Sequence, residues 1–134
     1  MAAMNREIAP PTIAPPAANY AHAVLSEASS RLLHTSGVVP IAADGSVPPA
    51  IDEQAALVWA NIGAIVAEAG MSLDDVVSVT TYVVVDLLGE LGAVMGARDR
   101  ALGGRRVAST LVTVPALARP EWKVEIAVEV RFLA

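Results

Sequence analysis

The amino-acid sequence predicts a single α+β domain over residues 1–134, with its elements in the order β-β-α-β-α-β-β. Two observations favour this class. Apolar side chains recur at helical spacing in two segments, and β-branched or alternating side chains fill five others. We expect one sheet with both helices packed on one of its sides and with another subunit covering the other side.

Four of the five predicted strands are short runs rich in apolar and β-branched residues. They cover residues 20–25, 31–35, 75–85 and 107–114, and we expect the third to be largely buried. Residues 1–18, which precede them, are rich in Ala and Pro. We therefore expect this N-terminal segment to run extended along the surface.

The fifth predicted strand has the clearest pattern. Between Trp122 and Leu133, apolar residues alternate with charged or small ones, so that Val124 and Ile126 share one face while Glu125 lies on the other. Such alternation indicates one buried face and one more polar face.

The clearer of the two predicted helices covers residues 51–69. Its apolar residues recur at steps of three and four and so form one face, and Gly70 is a suitable stop. The second helix is predicted at residues 87–102. Its glycines each cost about 0.5–1 kcal/mol relative to Ala, so they either weaken the helix or permit close packing. They are Gly89, Gly92 and Gly96.

The composition predicts self-association. Hydrophobic residues make up 54% of the chain, and the mean hydropathy is +0.54, which is high for a domain of this size. No run of about 18 or more apolar residues occurs, so no spanning helix and no membrane partner are expected. Burial between subunits is the remaining way to remove this apolar surface from water.

The charge of the chain argues against a nucleic-acid partner. The net charge is −5, the sequence pI is about 4.9 and aromatic residues are few, whereas phosphate contacts need clustered cations. One cluster of arginines lies between residues 98 and 106. It fits either a nucleic-acid contact or, as we prefer, a solvated helix end.

The absence of cysteine excludes disulfides, Cys-ligated metal ions and a thiol nucleophile. The sequence shows no metal-ligand spacing and no phosphate-binding loop, so we expect neither a metal ion nor a cofactor. His22 and His34 stand alone and are interpreted as packed or surface histidines. The N-terminus shows no secretory signal, so a cytoplasmic location is expected.

Four local motifs, in order, resemble the RidA/YjgF family over residues 20–130. The first is a Tyr-Ala-His-Ala run at residues 20–23, and the second is Ser-Gly-Val-Val-Pro at residues 36–40. The third runs from Asn61 to Val77 and ends in Gly-Met-Ser-Leu-Asp-Asp-Val-Val. The last is Lys-Val-Glu-Ile at residues 123–126. Each motif is weak alone, but the four together are specific for the fold.

The resemblance implies a chorismate-mutase-like subunit, a homotrimer and small-molecule clefts between subunits. Active members of the family hydrolyse reactive enamines and imines to keto acids and ammonia. In them, an arginine near the start of the fourth strand holds the substrate carboxylate, and a glutamate in the terminal strand is linked to the attacking water. Matching the motifs assigns the water-linked carboxylate to Glu125 and places Tyr20, Ser36 and Gly37 at the cleft.

The chain departs from the family pattern at the arginine. Ser109 occupies that place in Val-Ala-Ser-Thr-Leu-Val-Thr-Val, residues 107–114. A charged hydrogen bond contributes about 1.5–3 kcal/mol, or roughly 10- to 100-fold in binding. We therefore expect weak or absent activity on 2-aminoacrylate. Arg106 is the nearest candidate to replace the missing arginine. It lies three residues before Ser109, so its side chain is expected to point to the opposite face of the strand unless a bulge intervenes.

The residues leave alternatives open at each candidate position. Glu125 is either a general acid or base with a raised pKa or a solvated strand glutamate. The hydroxyls of Ser109 and Thr110 either bind a neutral carbonyl or amide or are ordinary strand groups. The phenol of Tyr20 reaches the cleft or packs at the trimer edge.

The protein as a whole is then either an imine or enamine hydrolase with an altered cleft or a non-catalytic metabolite-binding protein. A nuclease or translation-inhibitor role has also been attached to relatives of the family. The acidic charge and the few aromatics count against that role here.

Overall fold

The computed structural model describes residues 4–17, 21–27 and 30–133. Within these ranges it contains six strands and two α-helices in an α+β arrangement. The strands are β1 (Met4–Ile8), β2 (Ala23–Glu27), β3 (Ser30–Thr35), β4 (Val76–Val84), β5 (Ala108–Val114) and β6 (Val124–Leu133). The helices are α1 (Ile51–Glu68) and α2 (Leu91–Ala101).

All six strands belong to one sheet in the order β1-β2-β3-β6-β4-β5. Every neighbouring pair is antiparallel except β4 and β5, which run parallel. A parallel pair requires a crossover connection, and α2 lies in that connection. The predicted α+β class, with each helix between the expected strands, is confirmed.

The hydrophobic core lies between the sheet and α1. The predicted apolar face of α1 is buried in full, including Val58, Ile62 and Ile65. Opposite it, Val124 and Ile126 of β6 are completely buried, as the alternating pattern predicted. Gly70 follows the helix with a φ of 73°, a left-handed conformation that favours glycine and explains why the helix stops there.

The N-terminal segment contains a strand that the sequence analysis missed. Residues Met4–Ile8 form β1 and pair with β2, and the side chain of Ile8 is only 1% exposed. The prediction of an extended surface run over residues 1–18 missed this pairing and was wrong at Ile8, which is buried, whereas Arg6 and Glu7 are exposed. The strand is short and lies beside a Pro-rich stretch, so its place in the sheet depends on pairing with a distant part of the chain.

The second predicted helix is divided. Residues Val85–Glu90 form a 3₁₀ helix, and only Leu91–Ala101 are α-helical. A Cβ atom added at Gly89 or Gly92 would meet nothing within 4 Å, so these glycines serve no close packing within the described chain. Along β4, buried and partly buried positions alternate, and Val77, which is 44% exposed, is its one exposed residue.

The face of the sheet turned away from the helices, called the open face here, carries polar and apolar side chains together. Glu125 on β6, Tyr82 on β4 and Val112 on β5 lie in one row across it. Val112 and, on β2, Val24 are 38% and 37% exposed. No helix of the described chain covers this face.

Candidate functional site

The carboxylate of Glu125 lies half-buried on the open face. Its chain neighbours, Val124 and Ile126, point into the core, so strand alternation turns Glu125 the other way. Burial raises the pKa of the Glu125 carboxyl above its ordinary value, because the charged form loses hydration. Within the described residues, this carboxylate forms no hydrogen bond and no ion pair, so it is available to water or a ligand.

Gly37 lies directly against the Glu125 carboxylate. Two backbone hydrogen bonds, Val38 N–H to Ile126 O at 2.7 Å and Ile126 N–H to Val38 O at 3.1 Å, place the two segments side by side. A Cβ atom added at Gly37 would lie 2.6 Å from Cδ and 2.8 Å from Cγ of Glu125. The glycine is therefore required for the carboxylate to occupy its present position.

The hydroxyl of Ser36 is used by the fold. Its Oγ donates to the carbonyl oxygen of Ala21, and its backbone N–H donates to His22 O at 2.8 Å. These bonds fix the loop that carries Gly37. By contrast, the Gly37 N–H meets no acceptor in the part of the chain that the structure describes, so it remains a free donor beside Glu125.

Glu125, Ser36 and Gly37 line one cleft of about 350 Å³, called the Glu125 cleft here. Its other described lining residues are Ala17, Val39, Ala118, Arg119 and Trp122. Two charged side chains with opposite signs therefore share a cleft whose remaining walls are largely apolar.

Two buried amides of α1 hold the loops that frame this cleft. Gln54 donates to Glu121 O at 2.8 Å and accepts from Lys123 N–H at 2.8 Å, which fixes the chain just before β6. Asn61 donates to Ile41 O at 3.0 Å and so fixes the loop that follows Gly37. The helix thus positions both walls of the cleft, although none of its own side chains lines it.

Ser109 lies in a second pocket, called the Ser109 groove here, which has a volume of about 330 Å³. Ser109 pairs in register with the buried Val79, so it points toward the helix side of the sheet. There the Arg98 guanidinium donates to its Oγ at 3.2 Å. The Ser109 hydroxyl is therefore already engaged by an arginine on α2.

Ser109 and Thr110 lie on opposite faces of β5. Thr110 pairs in register with Thr80 and so belongs to the open face, while Ser109 belongs to the helix face. Both residues are exposed at this edge strand. The two hydroxyls cannot orient the same part of one ligand within a single chain.

The expected orientation of Arg106 assumed that this residue belongs to the fourth predicted strand, and this assumption was wrong. β5 begins at Ala108, so Arg106 lies outside the strand, where alternation does not apply. It lines the same groove as Ser109 instead of pointing to the opposite face. Tyr20 lies outside the described residues.

One chain brings Glu125 together with Ser36 and Gly37 but not with Ser109. The sequence analysis also missed Arg119 in the Glu125 cleft, and it interpreted Arg98 only as part of a helix end. A signal for Arg119 existed in the Arg-Pro-Glu-Trp run, because a turn places residues three apart beside each other. The turn is formed by a hydrogen bond from Trp122 N–H to Arg119 O at 3.1 Å.

The described residues contain no group of three or more His, Asp or Glu side chains that could hold a metal ion. Among the same residues, no helix is both long and apolar enough to cross a membrane.

The sheet order and the placement of the helices define the class of the protein, a chorismate-mutase-like α+β subunit. The model of the Endoribonuclease L-PSP family matches residues 12–131, and the chain belongs to this family, which includes the RidA/YjgF proteins. No curated protein sequence matches the chain.

Solved structures share the fold over nearly the whole chain. A putative endoribonuclease from Thermotoga maritima is 27% identical, with a TM-score of 0.84 and coverage of 95% of this chain and 97% of that one. A protein of the conserved Rid family, YyfA from Yersinia pestis, is 25% identical, with a TM-score of 0.83 and coverage of 95% and 98%. RidA from an Antarctic Psychrobacter species is 23% identical, with a TM-score of 0.84 and coverage of 95% and 99%.

Proposed function

We propose that the protein is a cytoplasmic homotrimer that hydrolyses a small imine or enamine lacking the usual α-carboxylate, in clefts between its subunits. The observation that carries this proposal is the Glu125 carboxylate. It is half-buried, unpaired within the described chain and seated against Gly37 in an open cleft. Burial raises the pKa of this carboxyl, and such a rise makes a carboxyl a better proton acceptor and so favours a role as general base and acid.

Glu125 acts as the general base and then as the general acid. Its carboxylate accepts a proton from water while the water oxygen attacks the imine carbon and the electron pair of the C=N bond moves to nitrogen. The protonated carboxyl then returns the proton to the amine nitrogen. Glu125 then accepts the hydroxyl proton of the carbinolamine and passes it to nitrogen, so that the C=O bond forms as the C–N bond breaks and ammonia leaves with the electrons of that bond. The Gly37 N–H, which has no acceptor within the described residues, orients the water or the substrate.

The separation of the two candidate regions supports an assembly of more than one subunit, and the resemblance to the RidA/YjgF family implies that this assembly is a trimer. Ser109 and Thr110 lie on the exposed edge strand β5, two strands away from β6, which carries Glu125. A cleft that uses both regions needs two copies of the chain. Light scattering at micromolar protein should give about three times the monomer mass of 13.8 kDa, and a monomer mass would refute the assembly.

The decisive experiment compares ammonia release from freshly generated 2-aminoacrylate by the wild type and by Ser109→Arg. A new arginine at this position lies beside Arg98, so the variant is also made with Arg98→Gln to remove the like charge. We expect an inactive wild type and a gain of activity in an arginine variant, followed by wild-type activity on uncharged imines. An active wild type would show that another group holds the α-carboxylate.

The second candidate is a non-catalytic metabolite-binding protein on the same fold. Ser109 favours it, because this position carries no arginine and its Oγ is already engaged by Arg98. If no variant and no imine shows turnover while a small ligand still binds, this candidate replaces the hydrolase.

A further inference from the structure

Arg119 supplies the positive charge of the Glu125 cleft. It lies in the loop between β5 and β6, and its guanidinium carbon is 5.1 Å from the ring centroid of Trp122. Trp122 is only 5% exposed, so the ring is a fixed platform. The cation–π contact and the turn between the two residues hold the guanidinium at the cleft while leaving its edge free.

The donors of Arg119 are unused. Within the described residues, Arg119 forms no ion pair and no side-chain hydrogen bond. Two arginines near Ser109 differ from it: Arg98 donates to Asp99 and Ser109, and Arg105 donates to the carbonyl oxygens of Val76 and Leu73. A free guanidinium presents a planar fork of N–H groups that matches a carboxylate.

Glu125 does not neutralise Arg119, although both residues line the same cleft. They form no ion pair, and burial raises the pKa of the Glu125 carboxyl without a neighbouring cation that lowers it. The cleft therefore offers a proton-exchanging group and a separate anion-binding group. Its other walls include Val39, Ala118 and the Trp122 ring, which suit an apolar ligand body.

We propose that Arg119 is the anion-binding residue of this cleft and that its ligand is a small organic carboxylate with an apolar body. This inference rests on the proposed function for one point: the acid group is not an α-carboxylate but lies further along the molecule. The substrate class is then a small imine or enamine that carries a remote carboxylate.

The test measures binding of 4-oxopentanoate and of its neutral isostere 4-oxopentanamide by calorimetry on the full chain at low salt. We expect the wild type to bind the acid more tightly than the amide. Arg119→Gln should weaken acid binding about 10- to 100-fold and leave amide binding unchanged, because only the charged hydrogen bonds are lost. Arg119→Lys, which keeps the charge but not the fork, should fall between the two.

Arg100→Gln is the matched control, since Arg100 is exposed in the last turn of α2 and lines neither the cleft nor the groove. It should bind both probes like the wild type. Thermal unfolding of each variant checks that the fold is retained. If Arg119→Gln unfolds, the same comparison is made with Arg119→Lys alone, whose affinity for the acid must fall.

The inference is overturned if Arg119→Gln keeps wild-type affinity for the acid, if it loses acid and amide equally, or if the wild type binds neither probe. Its failure can be separated from that of the proposed hydrolase. Arg119-dependent acid binding without any imine turnover would remove the hydrolase and leave the anion site. Turnover of neutral imines that is unchanged in Arg119→Gln, without Arg119-dependent acid binding, would keep the hydrolase and remove the anion site.

Discussion

The Glu125 cleft and the Ser109 groove both combine arginine with a residue matched to a family motif, yet the fold treats them differently. In the cleft, Glu125 and Arg119 have no hydrogen-bond or ion-pair partner within the described chain, and Arg119 contacts only the Trp122 ring. In the groove, Arg98 and Arg105 donate to a serine, an aspartate and backbone carbonyls, whereas Arg106 forms no hydrogen bond or ion pair within the described residues. A charged side chain near a pocket therefore indicates ligand binding only where it has no hydrogen bond or ion pair within the fold.

The largest expected effect follows from removing the proton-exchanging group of the cleft. Glu125→Gln should lower turnover of the best imine substrate by about 10²- to 10⁴-fold, which is the usual contribution of general acid–base catalysis. Ligand affinity should change little, because the amide keeps the size of the side chain. Steady-state ammonia release and calorimetry measure the two effects.

Glu129→Gln is the control for this variant. Glu129 lies on the same face of β6, but it is exposed and contacts Ser78 at 3.2 Å and His34 at 3.6 Å. Turnover of this variant should stay close to that of the wild type. Equal losses in the two variants would show that the net charge of the face matters rather than Glu125 itself.

The next largest effect on turnover is expected from Gly37, which lies against the Glu125 carboxylate. Gly37→Ala places a methyl group where the Glu125 side chain now lies, so the carboxylate must move. Misplacement of a reacting group by about 1 Å can cost on the order of 100-fold in rate, and we expect a loss of about 10- to 100-fold in turnover. The free energy of unfolding should fall by no more than about 1 kcal/mol, since a flexible side chain gives way.

Gly63→Ala on α1 is the matched control, because a Cβ atom there would meet only Leu73 Cδ1 at 3.9 Å. It should keep full activity and gain slightly in stability, as Gly→Ala in a helix does. Full activity in Gly37→Ala would show that the position of the Glu125 carboxylate is not critical.

In the Ser109 groove, replacing an arginine is expected to change the stability of the fold. The Arg105 guanidinium holds the start of β4 through Val76 O at 3.1 Å and the preceding turn through Leu73 O at 2.8 Å. Arg105→Gln should lower the free energy of unfolding by about 1–2 kcal/mol, as measured by urea denaturation. Arg119→Gln, in the same assay, should lower it by less, at most about 0.5–1 kcal/mol, because only the cation–π contact with Trp122 is lost. The reverse order would contradict the assignment of used and unused arginines.

The sequence predicted α1 and β6 well because their patterns depend on local periodicity. The same alternation placed Glu125 opposite the buried Val124 and Ile126, as found. Its role in catalysis stays a prediction. The missed features depend on contacts between distant residues: β1 pairs with β2, and Arg98 reaches Ser109 from a helix. The orientation of Arg106 could not be predicted for another reason. Side chains alternate between faces only inside a strand, and β5 begins after Arg106.

The smallest expected effect is the pH dependence of stability. The folded pKa of Glu125 is raised above its unfolded value, so the folded state binds the proton more tightly. Stability associated with this group is therefore complete below the ordinary glutamate pKa of about 4.3 and is lost as the pH rises through the raised value. In Glu125→Gln that loss is absent. The variant should gain stability relative to the wild type as the pH rises from about 3.5 to 7.

Urea midpoints across this range measure the difference, which should be near zero at the acid end and positive at the neutral end. Because the carboxylate is only half-buried, solvent screening keeps the gain modest. Glu129→Gln corrects for the loss of one negative charge on the same strand. A difference that shrinks with rising pH would mean that a cation stabilises the Glu125 carboxylate, and the only other charged side chain lining the described cleft is that of Arg119. Such a result would mean that Glu125 and Arg119 interact as an ion pair, so that the cleft would no longer differ from the groove in this respect.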